Sequence, residues 1–423
     1  MDLNAKIARL WIVKIKSNER VTEFWYRASR PALLFVWLLL PAGADAVGFR
    51  LPSQDAEAVA RGNAFVATAD TPSAIYYNPA GITQIKSQAA EAGLYVVHVG
   101  VKYDSPTGAH VENKSAFQPV PEIYYVNTIK DSKISYGVGL YVPYGLSIKY
   151  PDDNPFRTLA IEGSLQYITL NPVVAWQILP SLSIGAGPTF NYSEVYFKKG
   201  IGFSKGDYFK FRGNDFDMGF NAGFRWQPHE KLSFGAKYHY LTTENYGGHS
   251  EAKPYSSPVP TTAEIRFPQF VVVGVSYRPT PNWNFEVNVD WTDWDNVDQV
   301  VFKGTAGGNQ IFPFNWKSSY MYEFGVTRYL PDNWYVSAGY FFSENSIPDR
   351  NYNPIVPDGD LHLPSLGFGR RGERWNWALA YHFAINKTRT VENSQTTSLV
   401  GQTADGSYRF FNQALTASLT LKF

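Results

Sequence analysis

The 423-residue chain has no cysteine, only 3 methionines and no excess of charge of either sign. Without cysteine there is no disulfide framework and no thiolate metal site. With 38 basic residues against 37 acidic ones, the broad basic footprint that nucleic acid requires is missing. Beyond residue 40 there is no run of about 20 apolar residues, so a helical membrane bundle is excluded. Chemical motifs are also scarce. The seven histidines (98, 110, 229, 239, 249, 362 and 382) form no His-Glu-x-x-His pair. The acidic run Asp290, Asp293, Asp295, Asp298 and the pair Asp358, Asp360 lack the glycine and glutamate of a calcium loop and read as solvated charge. No glycine-rich phosphate loop precedes a helix. Neither a metal nor a cofactor is expected, nor an enzyme.

Aromatic residues are abundant: 28 Tyr, 29 Phe and 12 Trp, or 16% of the chain. Many fall on strict period-2 patterns. In 375–385, Trp375, Trp377, Leu379, Tyr381, Phe383 and Ile385 share one face, and Asn376, Ala378, Ala380, His382 and Ala384 the other. In 283–291, Trp283, Phe285, Val287, Val289 and Trp291 alternate with Asn284, Glu286, Asn288 and Asp290. In 232–240, Leu232, Phe234, Ala236, Tyr238 and Tyr240 alternate with Ser233, Gly235, Lys237 and His239. The last thirteen residues repeat the pattern, with Leu415, Ala417, Leu419, Leu421 and Phe423 opposite Ala414, Thr416, Ser418 and Lys422. Such segments are strands with two different solvents on their two faces. A mildly negative mean hydropathy agrees with polar residues at every second position. The terminal Phe423 resembles the insertion signal of bacterial outer-membrane barrels.

The connections alternate in length. Tight turns stand at 130–132, 179–181, 228–230, 279–281, 331–333 and 371–373. Long polar or Pro/Gly-rich stretches lie near 104–116, 150–157, 200–207, 247–262, 301–313, 346–360 and 387–407. Short turns at one end and long loops at the other are the outer-membrane pattern. The expected fold is an all-β membrane protein, an antiparallel transmembrane β-barrel of about 14 strands over 86–423. Trp283, Trp291, Trp294, Trp316, Trp334 and Trp375 are expected in its interfacial girdles.

The start of the chain reads as an export signal. Arg27 and Arg30 precede the apolar run Ala32 to Leu40, then the small-x-small site Ala44-Asp45-Ala46. Residues 1–46 are therefore expected to be a leader, with either an extended basic region or a start codon set too far upstream, and the mature protein is expected to begin at Val47. Residues 47–85 differ from everything after them. An alanine-rich segment, Gln54 to Gly62, and two prolines, Pro72 and Pro79, do not fit barrel strands. A small helical piece ahead of so wide a barrel is expected to sit in the lumen as a hatch.

In that segment Gly48-Phe49-Arg50-Leu51, Ala60-Arg61-Gly62-Asn63-Ala64-Phe65, Asp70-Thr71-Pro72-Ser73-Ala74 and Asn78-Pro79-Ala80-Gly81 resemble the hatch of the FadL/TodX family of outer-membrane transporters. Asp290-Trp291-Thr292-Asp293-Trp294, Trp316-Lys317 and Pro331-Asp332-Asn333-Trp334 continue the resemblance. It implies passive uptake of long-chain fatty acids or aromatic and aliphatic hydrocarbons, gated by the hatch, with sideways exit through a gap in the wall. It places Phe49, Leu51 and Lys317 at the ligand, with Ser318 where an acidic residue usually follows the lysine. The hatch turn Asn78, Pro79, Ala80 and Gly81 is then expected to face the gap. The gap itself is expected at the third strand, where Gly137, Gly139, Pro143 and Gly145 permit a break in pairing. The implied partners are hydrophobic small molecules, outer-membrane lipid and lipopolysaccharide, with a monomeric protein. The other readings are an aqueous porin, a lipid-acting enzyme using the inward-facing His239 or His382, and a surface receptor acting through the loops.

Overall fold

The structure is a computed structural model and describes residues 48–114, 117–202, 204–395 and 400–423. The leader expected over 1–46 lies outside the described residues. Fourteen antiparallel strands close into a barrel. They are β1 Ala89–Asp104, β2 Phe117–Thr128, β3 Ile134–Lys149, β4 Glu162–Leu179, β5 Leu182–Lys199 and β6 Tyr208–His229. β7 runs through Leu232–His239 and Thr242–Lys253, and β8 through Val259–Phe267 and Phe270–Tyr277, each with a short interruption. Then follow β9 Trp283–Thr292, β10 Ser319–Tyr329, β11 Trp334–Ser343, β12 Leu361–Arg371, β13 Trp375–Phe383 and β14 Gly406–Lys422. Closure is by β1 on β14, in continuous register from Ala89↔Lys422 to Asp104↔Ser407. Closure pairs the first strand with the last and so removes the two terminal edges of the sheet.

The alternation read from the sequence is the alternation of the wall. Along β9, Phe285 and Val287 are exposed outward, while Asn284, Glu286, Asn288 and Asp290 are buried inward. Along β14, Leu415 and Leu419 are exposed and Thr416, Ser418 and Thr420 are buried. About 9–11 residues cross a bilayer. The 18 residues of β4 and of β5 and the 22 of β6 therefore rise well beyond it on the long-loop side. Several stretches read as loops are paired there. Thr242–Lys253 joins Val259–Phe267, and Gln299–Lys303 joins Gln310–Pro313. One face of these extensions packs on the aromatic interior, with Tyr246, Ala263 and Phe302 buried, and the other meets water, so no lipid-facing apolar stripe marks them in the sequence.

Residues 48–85 fill the lumen. Helix α1 (Ala56–Ala60) begins at Asp55, whose carboxylate accepts from the Glu57 amide at 3.1 Å. It packs against β11 to β14. Helix α2 (Ala74–Tyr77) packs against β3, and a 3-10 turn, Pro79–Gln84, against β4 to β6. Inward-facing glycines admit this segment. A Cβ at Gly185 would stand 2.6 Å from the Pro79 carbonyl carbon, and one at Gly223 2.2 Å from Asn78 Oδ1. Gly235 and Gly274 similarly receive Val66, Gly339 receives Arg61 and Gly62, and Gly367 receives Ala60.

Candidate functional site

The wall is interrupted between β2 and β3. β2 pairs with β1 along its length, from Ala89↔Val126 to His98↔Phe117. With β3 it pairs only from Thr128↔Ser135 to Ile123↔Leu140. Beyond that rung, residues 117–122 have no ladder partner on β3. The cause is local sequence. Pro119 and Pro121 are two residues apart, so their missing N–H groups face the same neighbour, which only a strand edge tolerates. On β3 the register against β4 slips between Tyr141↔Thr169 and Tyr144↔Tyr167, so Val142 and Pro143 together oppose one residue. This bulge bends the strand inward. Every residue from Tyr141 to Leu146 is consequently buried, whichever face it is on.

The start of the hatch takes over the pairing that β2 relinquishes. Leu51 N–H donates to the Pro143 carbonyl at 2.8 Å, and Gly145 N–H to the Phe49 carbonyl at 2.8 Å. The Gln54 side chain serves the bulge itself, donating to Val142 O at 2.8 Å and accepting from Val142 N at 3.3 Å. Phe49 is thereby fixed among aromatic rings: Trp294 at 4.9 Å, Phe267 at 5.3 Å, Trp316 at 5.4 Å and Tyr144 at 6.1 Å between centroids. Above them lies an apolar cavity of about 90 Å³, walled by Phe49, Leu146, Leu165, Phe197, Ile265, Val300, Phe302, Phe312, Phe314 and Ile355. Leu146 lies in the part of β3 that β2 leaves unpaired, so cavity and wall gap share a residue.

Below the rings the lumen becomes charged. Asp290 grips Arg50 with both carboxylate oxygens at 2.7 Å, Thr292 Oγ1 accepts from Arg50 at 2.7 Å, and the guanidinium lies 3.6 Å over Phe270. Burial works against the Arg50 charge, and Asp290 more than offsets it, leaving its pKa above the ordinary arginine value. The Lys237 ammonium lies 3.6 Å over the Tyr76 ring. Glu286 accepts from Arg61 at 3.2 Å, from the Ala67 and Thr68 amides at 2.8 and 3.1 Å, and from the Thr68 hydroxyl. Arg371 holds both Glu57 and Asp70. Burial alone raises the Asp70 carboxyl; Arg371 overrides it and holds the group well below the usual carboxylate range. Hatch and wall are thus joined at three separate charge clusters.

Several residues singled out in the sequence lie elsewhere than expected. Phe49 and Leu51 are at the gap, and Pro143 and Gly145 bond to that segment. Gly137 and Gly139 serve the hatch instead, since a Cβ on either would meet Ile75 at 2.9 Å. The turn Asn78-Pro79-Ala80-Gly81 does not face the gap. Asn78 donates to Val66 O at 2.7 Å and Phe224 O at 2.9 Å, beside β5 and β6, where Gly185 and Gly223 leave bare backbone. Lys317 is exposed, with its backbone N–H donating to Ser346 O at 2.9 Å. Extended backbone turns neighbouring side chains to opposite sides, so Trp316 enters the ring cluster and Lys317 does not. Trp294 and Trp316 are buried in that cluster rather than in a girdle; Trp283, Trp334 and Trp375 are exposed beside the tight turns. His239 stacks on Phe270 at 4.8 Å, and His382 meets the Tyr95 hydroxyl at 3.2 Å. Arg50, Gln54, Asp290, Pro119 and Pro121 were missed as site residues. The proline pair was the readable signal; the others depend on long-range pairing.

Residues 38–423 match the family model described as outer membrane protein transport protein (OMPP1/FadL/TodX). A long-chain fatty acid transport protein of Salmonella typhi is 22% identical over 380 residues, covering 80% of this chain and 87% of that protein. Among solved structures, a FadL homologue of Pseudomonas aeruginosa aligns with a TM-score of 0.80 at 19% identity, over 89% of this chain and 100% of that one. The toluene transporter TodX of P. putida aligns with a TM-score of 0.70 at 16% identity, over 88% and 99%.

Proposed function

This chain belongs to the OMPP1/FadL/TodX family of outer-membrane proteins that transport hydrophobic compounds, and on that premise we propose that its ligand leaves sideways, through the break between β2 and β3, under control of residues 49–54. A hydrophobic molecule enters from the loops, occupies the apolar cavity, displaces the Phe49 ring and passes Leu146 into the outer leaflet. Substrates are long-chain fatty acids or hydrocarbons. The protein acts as a passive monomeric conduit surrounded by lipid and lipopolysaccharide, and performs no chemistry on its cargo. Export by the leader over 1–46 belongs to the same reading.

The observation that carries it is the substitution of hatch for wall: Phe49–Leu51 supplies the hydrogen bonds that β2 does not. A segment held by a few such bonds can leave without breaking the cylinder, because β1 to β14 remain paired around it. Energetics favour the side over the axis. Each methylene kept out of water is worth about 0.8 kcal/mol, and the axial path below the rings crosses Arg50, Asp290, Lys237 and Glu323. An alkyl chain passing there would desolvate those charges. The cavity of about 90 Å³ is below the roughly 300 Å³ of ordinary ligand pockets, which is why the Phe49 ring has to move.

Proteoliposomes test the reading. The purified barrel is expected to speed entry of oleate or toluene into the bilayer while leaving glucose excluded and planar-bilayer conductance low. A large steady conductance, or glucose entry matching that of oleate, would identify an aqueous pore instead.

A further inference from the structure

Most of the contact between hatch and wall sets its carboxylates against arginine. Asp290 holds Arg50, Glu286 holds Arg61, and Arg371 holds both Glu57 and Asp70. One sector has carboxyls and no such cation. Asp55 at the start of α1, Glu91 on β1 and Glu122 on β2 are 1%, 3% and 1% exposed. The register brings them together. Ser418, Gly93 and Glu122 stand on one rung across β14, β1 and β2, and Thr420, Glu91 and Tyr124 on the next rung of the same face. Asp55 comes down on the first of these, accepting from Ser418 at 3.1 Å. Gly93 leaves room between, since a Cβ there would lie 2.2 Å from Glu122 Oε1. The partners are hydroxyl groups: Ser73 donates to Asp55 at 2.8 Å and Thr420 to Glu91 at 2.7 Å. One oxygen of Glu91 and both of Glu122 have no hydrogen-bond partner among the described residues. The three are not disposed as ligands for a metal ion. Three anions in one buried space repel one another, so protons are the cations that neutralise them.

Asp55 is faced by titratable groups from several elements. Glu57 is its neighbour on α1, already bound to Arg371 from the end of β12. Glu91 comes from β1, Glu122 and Tyr124 from β2, Tyr77 from α2 and Tyr335 from β11. β13 and β14 present Ala378, Ala380 and Ser418. Burial, and next Glu57, push the Asp55 carboxyl up to about 6, against the hydrogen bonds from Ser73, the Glu57 amide and Ser418. With the docked value above the ordinary one, docking is most stable below the ordinary carboxylate range and weakens as pH rises through about 6. Glu91 and Glu122 are fixed in the ladders of β1 and β2, so Asp55 is the member that can withdraw. It follows Gln54, whose side chain holds the bulge at Val142 and whose carbonyl accepts from Tyr124 at 3.1 Å. Glu122 is itself the first residue of β2 beyond the last rung with β3.

We propose that Asp55, Glu91 and Glu122 form a proton-binding site that latches residues 49–55 into the wall gap, and that loss of its protons in alkaline medium opens the gap. Ionised Asp55 is driven from the two wall carboxylates. The cap of α1 goes with it, and the bonds of Phe49 and Leu51 to β3 lose their anchor. Glu286 holds the next part of the hatch through Arg61 and two amides, so residues 61–70 stay docked. The latch presupposes the sideways route above and adds the condition that opens it.

Peptide-resolved hydrogen exchange and uptake of naphthalene, a probe with no ionisable head, test it on the full barrel at about pH 5 and about pH 8, either side of the docked value. Heat-modifiable gel mobility is the check on folding. Exchange at Leu51 and Glu57, corrected for intrinsic rate, is expected to be about tenfold faster at the higher pH, the change that a docked value of about 6 implies for one carboxyl. Exchange over 61–70 should not change. Naphthalene uptake by proteoliposomes should rise severalfold with it. The double variant Glu91→Gln/Glu122→Gln, and separately Asp55→Asn, which keeps a cap oxygen, should show at the higher pH the exchange of wild type at the lower. Equal wild-type exchange at the two pH values, or variants that keep the full response, would overturn the proton site. Uptake that ignores pH while exchange responds would overturn the latch. No naphthalene uptake at either pH, by a barrel whose exchange responds, would instead remove the transport reading and leave the proton site standing.

Discussion

Replacing Glu286 by alanine is expected to free the middle of the hatch while the barrel stays closed. Glu286 projects inward from β9 and accepts from the Arg61 guanidinium, the Ala67 and Thr68 amides and the Thr68 hydroxyl. The side chains of Arg61 and Glu286 are both fully buried. Removing one partner of a buried ion pair costs about 3–5 kcal/mol, since the other charge is left without compensation. The two amides that lose their acceptor add roughly 1–3 kcal/mol each if water does not reach them. Taking about 4 kcal/mol, the middle of the range for the ion pair alone, the docked-to-undocked ratio of residues 61–70 falls about a thousandfold. The β9 ladders on β8 and β10 use backbone groups and do not involve this carboxylate. Hydrogen exchange resolved to short peptides reads the change directly, because exchange of a protected amide follows the open population. Exchange at Ala67 and Thr68 should accelerate by two to three orders of magnitude, about what that shift implies, with β9 and β10 unaltered. Glu286→Gln, which keeps one acceptor oxygen, should fall between. Wild-type exchange at 61–70 in the alanine variant would refute the claim that this carboxylate holds the hatch.

Gly223→Leu should unseat the Asn78–Gly81 turn, since even a Cβ there would lie 2.2 Å from Asn78 Oδ1 and 2.7 Å from Pro79 Cδ; faster exchange over 78–84 in a barrel of normal heat-modifiable mobility is the readout, and native exchange would count against it. Phe49→Ala removes a ring packed on Trp294 and Phe267, a loss of about 3–5 kcal/mol in a tight core. It should enlarge the inner cavity and speed naphthalene uptake by proteoliposomes, and an unchanged rate would deny Phe49 its gating role. Burial raises the Asp358 carboxyl above its ordinary value, and Arg389 only partly offsets this. With the folded-state value above the unfolded one, the stabilisation is complete below the ordinary carboxylate range and is lost as pH rises through the folded value. Exchange of the Ser346 amide, which Asp358 accepts at 3.1 Å, should therefore be slowest in acid after correction for intrinsic rate; the opposite trend would refute the shift.

Lipid made much of the wall legible. Where one face meets hydrocarbon and the other a polar lumen, as along Trp283–Trp291 or Leu415–Phe423, the pattern of side chains fixes strand, face and parity together. Beyond the bilayer that contrast ends, and the stretch 247–262 resembled a loop although most of it belongs to the paired strands Thr242–Lys253 and Val259–Phe267. The site was legible only in part. Pro143 marked a break because its own chemistry forbids a ladder bond. The glycines at 137 and 139 carry the same local signal, yet here a glycine records what approaches it, and that is Ile75. Lys317 was placed by family resemblance, whereas the parity of one extended residue decided the outcome: Trp316 went in and Lys317 went out. Arg50 and Asp290 stand 240 positions apart, and no local pattern records such a pair.

The central claim is that cargo leaves through the break at β3. Deleting Pro143 removes the extra residue of the bulge, so that Tyr141 and Tyr144 return to one continuous register on β4. The straightened strand then lies in the wall beside β2 and narrows the break, even though Pro119 and Pro121 still withhold ladder bonds. Oleate delivery into the bilayer of proteoliposomes, wild type against this deletion, with normal barrel mobility in both, is the measurement. Delivery is expected to fall to the rate of protein-free vesicles while oleate still binds. Undiminished delivery through a barrel that has lost its bulge would contradict the sideways route.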